Sequence, residues 1–522
     1  MLLFIVPFLI SALAVYIWIY YENVKRYPKG PLPVPIFGNL LTVNAGKLHE
    51  QISDYAKDYG SVYTVWLPNP TVVITDYDLI KEAFAKKGYD FAGRPQGYPN
   101  DLLGIIKNGG IIRSEGENWK EQRTTSLHIL RDLGMGKDLM EEQVLLSAQE
   151  FLVHMASIKD KETMDLQRPL QVFIANIIHK ILFGCSHEYD ESDHLMQSVD
   201  NLMQFFNDTR NNKIMLLCQM IPGLDQLPII NRLARGRFMK TIDVVKNNIK
   251  EDVRRCLKTY SADEEPECFV HAYYQRMHNN SNLDYDNLLS VCMDFFVASM
   301  EMTPTTLYWG SLLLATNTEV QDKIRAEIMS VLGPDGQPSA SLRNRMPYTY
   351  AAIQEIQRYA NIVPLNILHR TTRDTSIGNI RIPNDTQIIG HINHVMARSP
   401  VFENPKKFKP ERFLMEDGLT LNRETVEKLC PFSIGKRQCA GEALARVELF
   451  IGLVTLLQNY EIEPAEGHKV DLEPIYAAVL LPKPQPLRLT LLSSEWDLNR
   501  NYSSITSDHK LHPNKTDSLS NF

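Results

Sequence analysis

Met1 to Tyr21 carries no charge, and this apolar run is about the length that crosses a bilayer. Tyr16, Trp18, Tyr20 and Tyr21 close the run where an interfacial aromatic belt belongs, and Lys25, Arg26 and Lys29 follow it. With neither a basic n-region nor a small-residue cleavage site, the run reads as an uncleaved anchor. The basic flank puts the remainder of the chain on the cytosolic side. Pro28, Pro31, Pro33 and Pro35 exclude a helix and predict a stiff extended strut. The pattern thus divides into a transmembrane anchor over 1–21, a basic flank with Pro-rich strut over 22–39, and a large domain from residue 40.

In that domain, SVYTVWLPNPTVVIT (61–75) predicts a hairpin, with β-branched runs on either side of Pro-Asn-Pro. Helical periodicity dominates from Asp76 to about Ala360. Short strands are expected around Ile380–Ile389 and Ala477–Leu492. From Ala440, apolar residues recur at Leu444, Val447, Phe450, Ile451, Leu453, Val454 and Leu457, which predicts a long buried helix. The domain ends near residue 492, and 493–522 are polar and rich in Ser and Asn, the composition of a disordered tail. The fold class is therefore mainly α with small β-sheets.

Composition narrows the function. Of 522 residues 44% are hydrophobic, enough for a large core, and a net charge of -7 argues against a nucleic-acid-binding protein. The cysteines Cys185, Cys218, Cys256, Cys268, Cys292, Cys430 and Cys439 form no Cys-x-x-Cys pair. That argues against a disulfide framework and against a structural zinc site.

Cys439 stands apart. It lies in PFSIGKRQCAGEALARVELF, immediately before the predicted helix, where the helix dipole favours thiolate. Arg437 adds a nearby cation, while Gly435 and Gly441 leave room for backbone to approach something bulky. A single thiolate in such a loop suits haem rather than an iron–sulfur cluster. Elsewhere, Glu355 and Arg358 share one face of an apolar helix, and a buried pair there needs a further partner, which Arg412 offers. Trp119 and Arg123 lie one helical turn apart.

These motifs carry a resemblance to the cytochrome P450 family. Phe432, Gly435, Arg437, Cys439 and Gly441 match its haem-thiolate loop, and the likeness runs from about Pro28 to about Leu492. The resemblance implies a cytochrome P450 fold behind the anchor, haem b ligated by Cys439, and Glu355–Arg358–Arg412 as a structural triad. Trp119, Arg123, His369 and Arg437 would hold the haem propionates, with Lys107 a weaker addition. DFFVASMEMTPTTLYWG resembles the family's distal helix, with Ser299 in place of glycine and Met302 in place of the first of two threonines. Glu301 and Thr303 are expected to deliver protons, and Pro304 to kink the helix and free the Met300 carbonyl. Pocket positions implied are Phe205, Phe206, Ala298, Ile362, Val363 and Val479.

The implied activity is monooxygenation of a lipophilic xenobiotic, fatty acid or steroid. Electrons would come from NADPH through a separate NADPH–cytochrome P450 reductase, with cytochrome b5 as a further candidate partner, at the endoplasmic reticulum membrane. No dinucleotide fingerprint occurs in the chain itself. Three alternatives stay open: a haem-thiolate isomerase of lipid hydroperoxides, a non-catalytic haem-binding lipid carrier or sensor, and a structural membrane protein without haem, in which the Cys439 loop would have no purpose.

Overall fold

The computed structural model describes residues 2–492 apart from 97–101, 136–137, 190–191, 212–213, 215–216, 219–222, 399 and 477–478. The expected polar tail lies outside the described residues. The chain opens with helix α1 (Leu2–Val24), of which Phe4–Val24 is long and apolar enough to cross a membrane. Its end touches the domain: the Tyr20 ring sits 5.7 Å from that of Trp66, and the Tyr21 hydroxyl donates to the Pro33 carbonyl at 3.2 Å.

The proline segment is not a straight strut. Val34 and Gly38 exchange two main-chain hydrogen bonds, and Ile36 and Gly38 both take positive φ. Asn39 clamps the bend, donating to the carbonyls of Pro31 and Leu32 while accepting from the Trp66 N–H. The prolines block a helix, as expected, but bonds to the following hairpin bend the segment back on itself.

Helix α2 (Leu48–Tyr59) leads into the hairpin β1 (Val62–Trp66) and β2 (Pro70–Ile74). Helix α3 (Tyr77–Lys81) continues into a π-turn over Glu82–Lys86. A run of helices follows: α4 (Gly116–Asp132), α5 (Asp138–Ser157), α6 (Gln167–Phe183), α7 (Asp193–Asn211), α8 (Pro228–Leu257), α9 (Phe269–Met277), α10 (Tyr285–Ala315), α11 (Thr318–Val331) and α12 (Pro347–Ala360). Strands β3 (His369–Arg370), β4 (Thr375–Ile377), β5 (Ile380–Ile382) and β6 (Gln387–Gly390) precede two short helices, α13 (Ile392–Ala397) and α14 (Arg423–Lys428). The chain then forms α15 (Glu442–Asn459), β7 (Tyr460–Pro464), β8 (Ile475–Tyr476), β9 (Leu480–Leu481) and β10 (Leu487–Leu491).

The main sheet has the order β1-β2-β6-β3, with β6 parallel to β2 and the other pairs antiparallel. All five β1 residues are buried, which fits a strand covered on both faces. The largest core cluster joins α5, α6, α10 and α15 through residues such as Phe173, Leu307, Leu312, Phe450 and Leu453. Helix α10 runs unbroken through Pro304.

Candidate haem site

The site is assembled from three stretches: the loop before α15, the start of α4 with the segments packed on it, and the middle of α10. Main-chain bonds fix the loop. Cys439 N–H donates to the Phe432 carbonyl at 2.9 Å, and Gln438 N–H to Gly435 at 3.1 Å. Gly435 has φ 83°, and a Cβ there would stand 1.8 Å from the Phe84 carbonyl oxygen. Its glycine is therefore demanded by the π-turn behind the loop. At Gly441 a Cβ would meet nothing within 4 Å, so protein packing makes no demand there. The Phe432 ring lies under the Arg446 guanidinium at 4.9 Å.

Cys439 is exposed, yet burial of its surroundings pushes the thiol up. The expected bias toward thiolate is thus outweighed: desolvation leads, although the Gly441 N–H and Arg123 act in the expected direction. A coordinated metal ion reverses this balance, because a coordinating thiol is deprotonated outright. Ala298 stands out on α10. It is exposed in the middle of α10, a helix otherwise buried over most of its length, and Met302 at i+4 on the same face is half-buried.

Above the loop the structure gathers cations. Arg437 is buried, and its guanidinium donates to the carbonyls of Ala92, Ile111 and Ser114 and lies 3.9 Å from the Trp119 ring centroid. Arg123 donates to the Gln438 carbonyl at 2.6 Å. Arg94 is also buried and donates to Ile112, Ile367 and Leu368 carbonyls. Burial, Arg94 and Arg123 bring Arg437 down to about 8, and burial, Arg123 and Arg113 bring Arg94 down to about 9. Guanidinium groups stay protonated, so this is a site with excess positive charge that favours an anion. Trp119 adds a buried indole Nε1–H with no partner among the described residues. These features fit a group with two carboxylates and a broad apolar plane.

Two expected members of this set behave differently. Lys107 is exposed, and Arg94 is the buried cation of this corner instead. Nothing in its setting, FAGRPQG, separates Arg94 from a surface arginine. His369 is buried, stacked on Phe84 at 3.9 Å, with Nδ1 2.7 Å from the Phe91 carbonyl. Burial and then Arg94 hold it neutral. The carbonyl claims the ring proton at Nδ1, so His369 can donate to a carboxylate from Nε2 only as the imidazolium.

On α10 the expected proton-delivery pair separates. The Thr303 hydroxyl is buried and donates to Glu448 Oε2 on α15 at 3.0 Å. It does not share the face of Ala298 and Met302; five residues of helix carry it well round the axis. Glu301 is buried, accepts from Thr305 at 3.2 Å through Oε1, and has Oε2 without a partner among the described residues. Burial raises both Glu301 and Glu448 to about 7. Glu448 could have been noticed as the lone acid in the apolar run ALARVELFIGL, but its partner could not. The Ser299 hydroxyl turns back to the Phe295 and Phe296 carbonyls.

The pocket positions divide similarly. Ile362, Val363 and Val479 are half-buried, and Leu480 N–H donates to the Ile362 carbonyl at 2.8 Å, which brings their segments together. Phe205 is buried in the core cluster. The Phe206 side chain lies outside the described residues.

Beneath the site, Glu355 and Arg358 pair at 2.7 Å, and Arg412 Nε reaches Glu355 at 3.0 Å. Lys409 N–H also donates to Glu355, while Arg358 donates to the Met396 and Pro405 carbonyls.

A thiol-bearing loop and the cationic cradle packed against it define the class, a haem-thiolate enzyme. The cytochrome P450 profile matches residues 28–490, and the chain belongs to the cytochrome P450 family. It is 34% identical over 482 residues to cytochrome P450 2H1 of Gallus gallus, covering 91% of this chain and 96% of that protein. Cytochrome P450 2C23 of Rattus norvegicus is 35% identical over 484 residues, covering 91% and 95%. Cytochrome P450 2F2 of Mus musculus is 34% identical over 469 residues, covering 88% and 93%. The protein is a haem-dependent monooxygenase of this family, mainly helical with small sheets, and carries an apolar N-terminal helix that can serve as a membrane anchor.

Proposed function

We propose that the chain is an endoplasmic-reticulum monooxygenase of lipophilic substrates, driven by NADPH through a separate reductase, with its catalytic domain in the cytosol. Its haem, when bound, supplies reductive activation of O₂. Cys439 is the residue that would hold the iron. Arg94, Arg123, Arg437 and the Trp119 indole would hold the propionates, where charge-assisted bonds from fixed donors suit carboxylates. Ala298, Met302, Ile362, Val363 and Val479 present apolar surface to substrate. Leu32, Val34, Ile36 and Leu41, exposed beside the anchor, offer further apolar surface to a bilayer from which such a substrate partitions. Glu301 Oε2 is a buried carboxyl oxygen able to hold a proton near neutral pH.

The observation that carries this reading is the coincidence of an accessible Cys439 with a buried guanidinium cluster whose positive charges outnumber the one carboxylate beside them, Glu115. The test is Cys439→Ser. The red-shifted band of the reduced carbon monoxide complex should vanish while protein is still made. Persistence of that band would remove Cys439 as the ligand. The parent protein with reductase should consume NADPH in proportion to a hydroxylated product. Turnover of lipid hydroperoxides without NADPH, and none with it, would favour the isomerase; spectral substrate binding with neither turnover would favour the carrier.

A further inference from the structure

We propose that the chain holds a second metal site, for zinc, built from His179, Cys185 and His187. The sequence contains His179-x5-Cys185-x-His187 across the end of α6, without the paired cysteines that usually announce such a site. The turn that brings them together is a helix stop. Gly184 takes the left-handed conformation at φ 77° and reverses the chain after Phe183. Asn176 then fixes the returning strand, its side chain donating to the His187 carbonyl at 2.7 Å and accepting from the His187 N–H at 3.0 Å.

The result is convergence on one nitrogen. His179 Nδ1 lies 3.8 Å from Cys185 Sγ and 3.3 Å from His187 Nε2, and the three ligand atoms lie within 4.8 Å of one another. Tetrahedral zinc with Zn–N of about 2.05 Å and Zn–S of about 2.3 Å has ligand edges of about 3.3 Å for N–N and about 3.6 Å for N–S. The two separations from His179 Nδ1 lie close to those edges, and the third pair, Cys185 Sγ and His187 Nε2, lies within 4.8 Å. An ordinary hydrogen bond between the two histidines would explain only one of them, since Nδ1 has a single in-plane direction. One ion on that direction satisfies the thiolate and both imidazoles.

The remaining ring nitrogen has the partner that zinc-bound histidines use. His179 Nε2 faces Asp252 Oδ2 on α8 at 3.6 Å, and that carboxylate is itself buried. A carboxylate behind a ligating imidazole fixes its tautomer and raises its basicity. One thiolate and two imidazoles favour zinc over hard cations such as calcium or magnesium. The three protein ligands leave a fourth position for water. The site lies apart from Cys439, so it does not draw on the haem ligand.

The test uses full-length, haem-loaded protein in detergent, dialysed against zinc and then against zinc-free buffer. Zinc and iron are measured together by atomic emission. About one zinc per chain should remain. Cys185→Ser and His187→Gln should each lower retained zinc at least about 10-fold with the haem-to-protein ratio unchanged, and Asp252→Asn should weaken zinc affinity about 10- to 100-fold. Zinc should also slow alkylation of Cys185. Cys256→Ser, at the separate cluster with Cys268 and His271, should leave retained zinc unchanged. No retained zinc in the parent protein would overturn the site. So would equal retention in both Cys185→Ser and His187→Gln, or loss only in Cys256→Ser.

Discussion

Two buried ionic groups of the molecule, around Glu355 and around Arg437, are built on opposite principles. Around Glu355 the charges close on themselves: one carboxylate receives Arg358, Arg412 and the Lys409 N–H, and the spare guanidinium donors end on carbonyls. Around Arg437 they do not close. Arg94, Arg123 and Arg437 spend their hydrogen bonds on main-chain carbonyls, and burial first, then neighbouring guanidinium charge, lowers Arg94 and Arg437. A closed network can serve the fold unaided. An open one keeps excess positive charge among the described residues and favours an added anion.

The largest effect should come from breaking the closed group. Glu355→Ala leaves Arg358 and Arg412 buried without their carboxylate, a loss of about 3–5 kcal/mol against a typical domain stability of about 5–15 kcal/mol. Haem-loaded protein should be nearly absent from the yield. Normal haem content and melting temperature would show that the network is dispensable.

Opening the other group further should cost binding rather than folding. Arg437→Met removes a cation that Arg94 and Arg123 repel, so the apoprotein should lose far less stability than with Glu355→Ala. Haem should leave faster, by about 10- to 100-fold, the worth of one charge-assisted bond of about 1.5–3 kcal/mol. Transfer of haem to an apoglobin measures it directly. A fall in apoprotein stability without faster transfer would make Arg437 a member of the closed kind.

A smaller effect separates these permanent charges from the titrating carboxyls. Glu448 is raised to about 7 by burial, from an ordinary value of 4.5. Its neutral form is the one the fold favours. The associated stability is therefore fully present below about pH 4.5 and lost as pH rises through about 7. Glu448→Gln, which retains an acceptor for Thr303, should flatten that decline in melting temperature between those limits. An unchanged slope would assign the decline to other groups.

The same contrast explains what could be read in advance. The 61–75 hairpin, the helix after Cys439 and the Glu355–Arg358 spacing follow from local periodicity, which one stretch of chain contains. The bend at Ile36 depends on Asn39 reaching Trp66, and the cation at Arg94 depends on three separate carbonyl segments meeting. Gly435 was legible as a required glycine, but its reason, the Phe84 carbonyl, comes from a segment some 350 residues away. The proposed zinc ligands carry no paired-cysteine signal, because a helix stop and an asparagine clamp bring them together.

The smallest expected effect concerns α10, where facing decides function more than residue type. Thr303 carries the hydroxyl that the family pattern suggests, but its bond runs to Glu448, and the face of Ala298 carries Met302. Thr303→Ala should therefore remove one buried hydrogen bond, a loss of about 1–3 kcal/mol because the Glu448 carboxyl is left without that donor. Product formed per NADPH should change little. Met302→Thr places a hydroxyl one turn beyond Ala298, beside the unpartnered Glu301 oxygen's helix segment, and should raise product per NADPH while lowering hydrogen peroxide release. Positioned proton transfer is worth about 10²–10⁴-fold, and solvent already reaches this face, so the gain should fall below the lower bound. Coupling that collapses in Thr303→Ala and stays fixed in Met302→Thr would return the proton-delivery role to Thr303, and would require its hydroxyl to exchange Glu448 for the haem side during turnover.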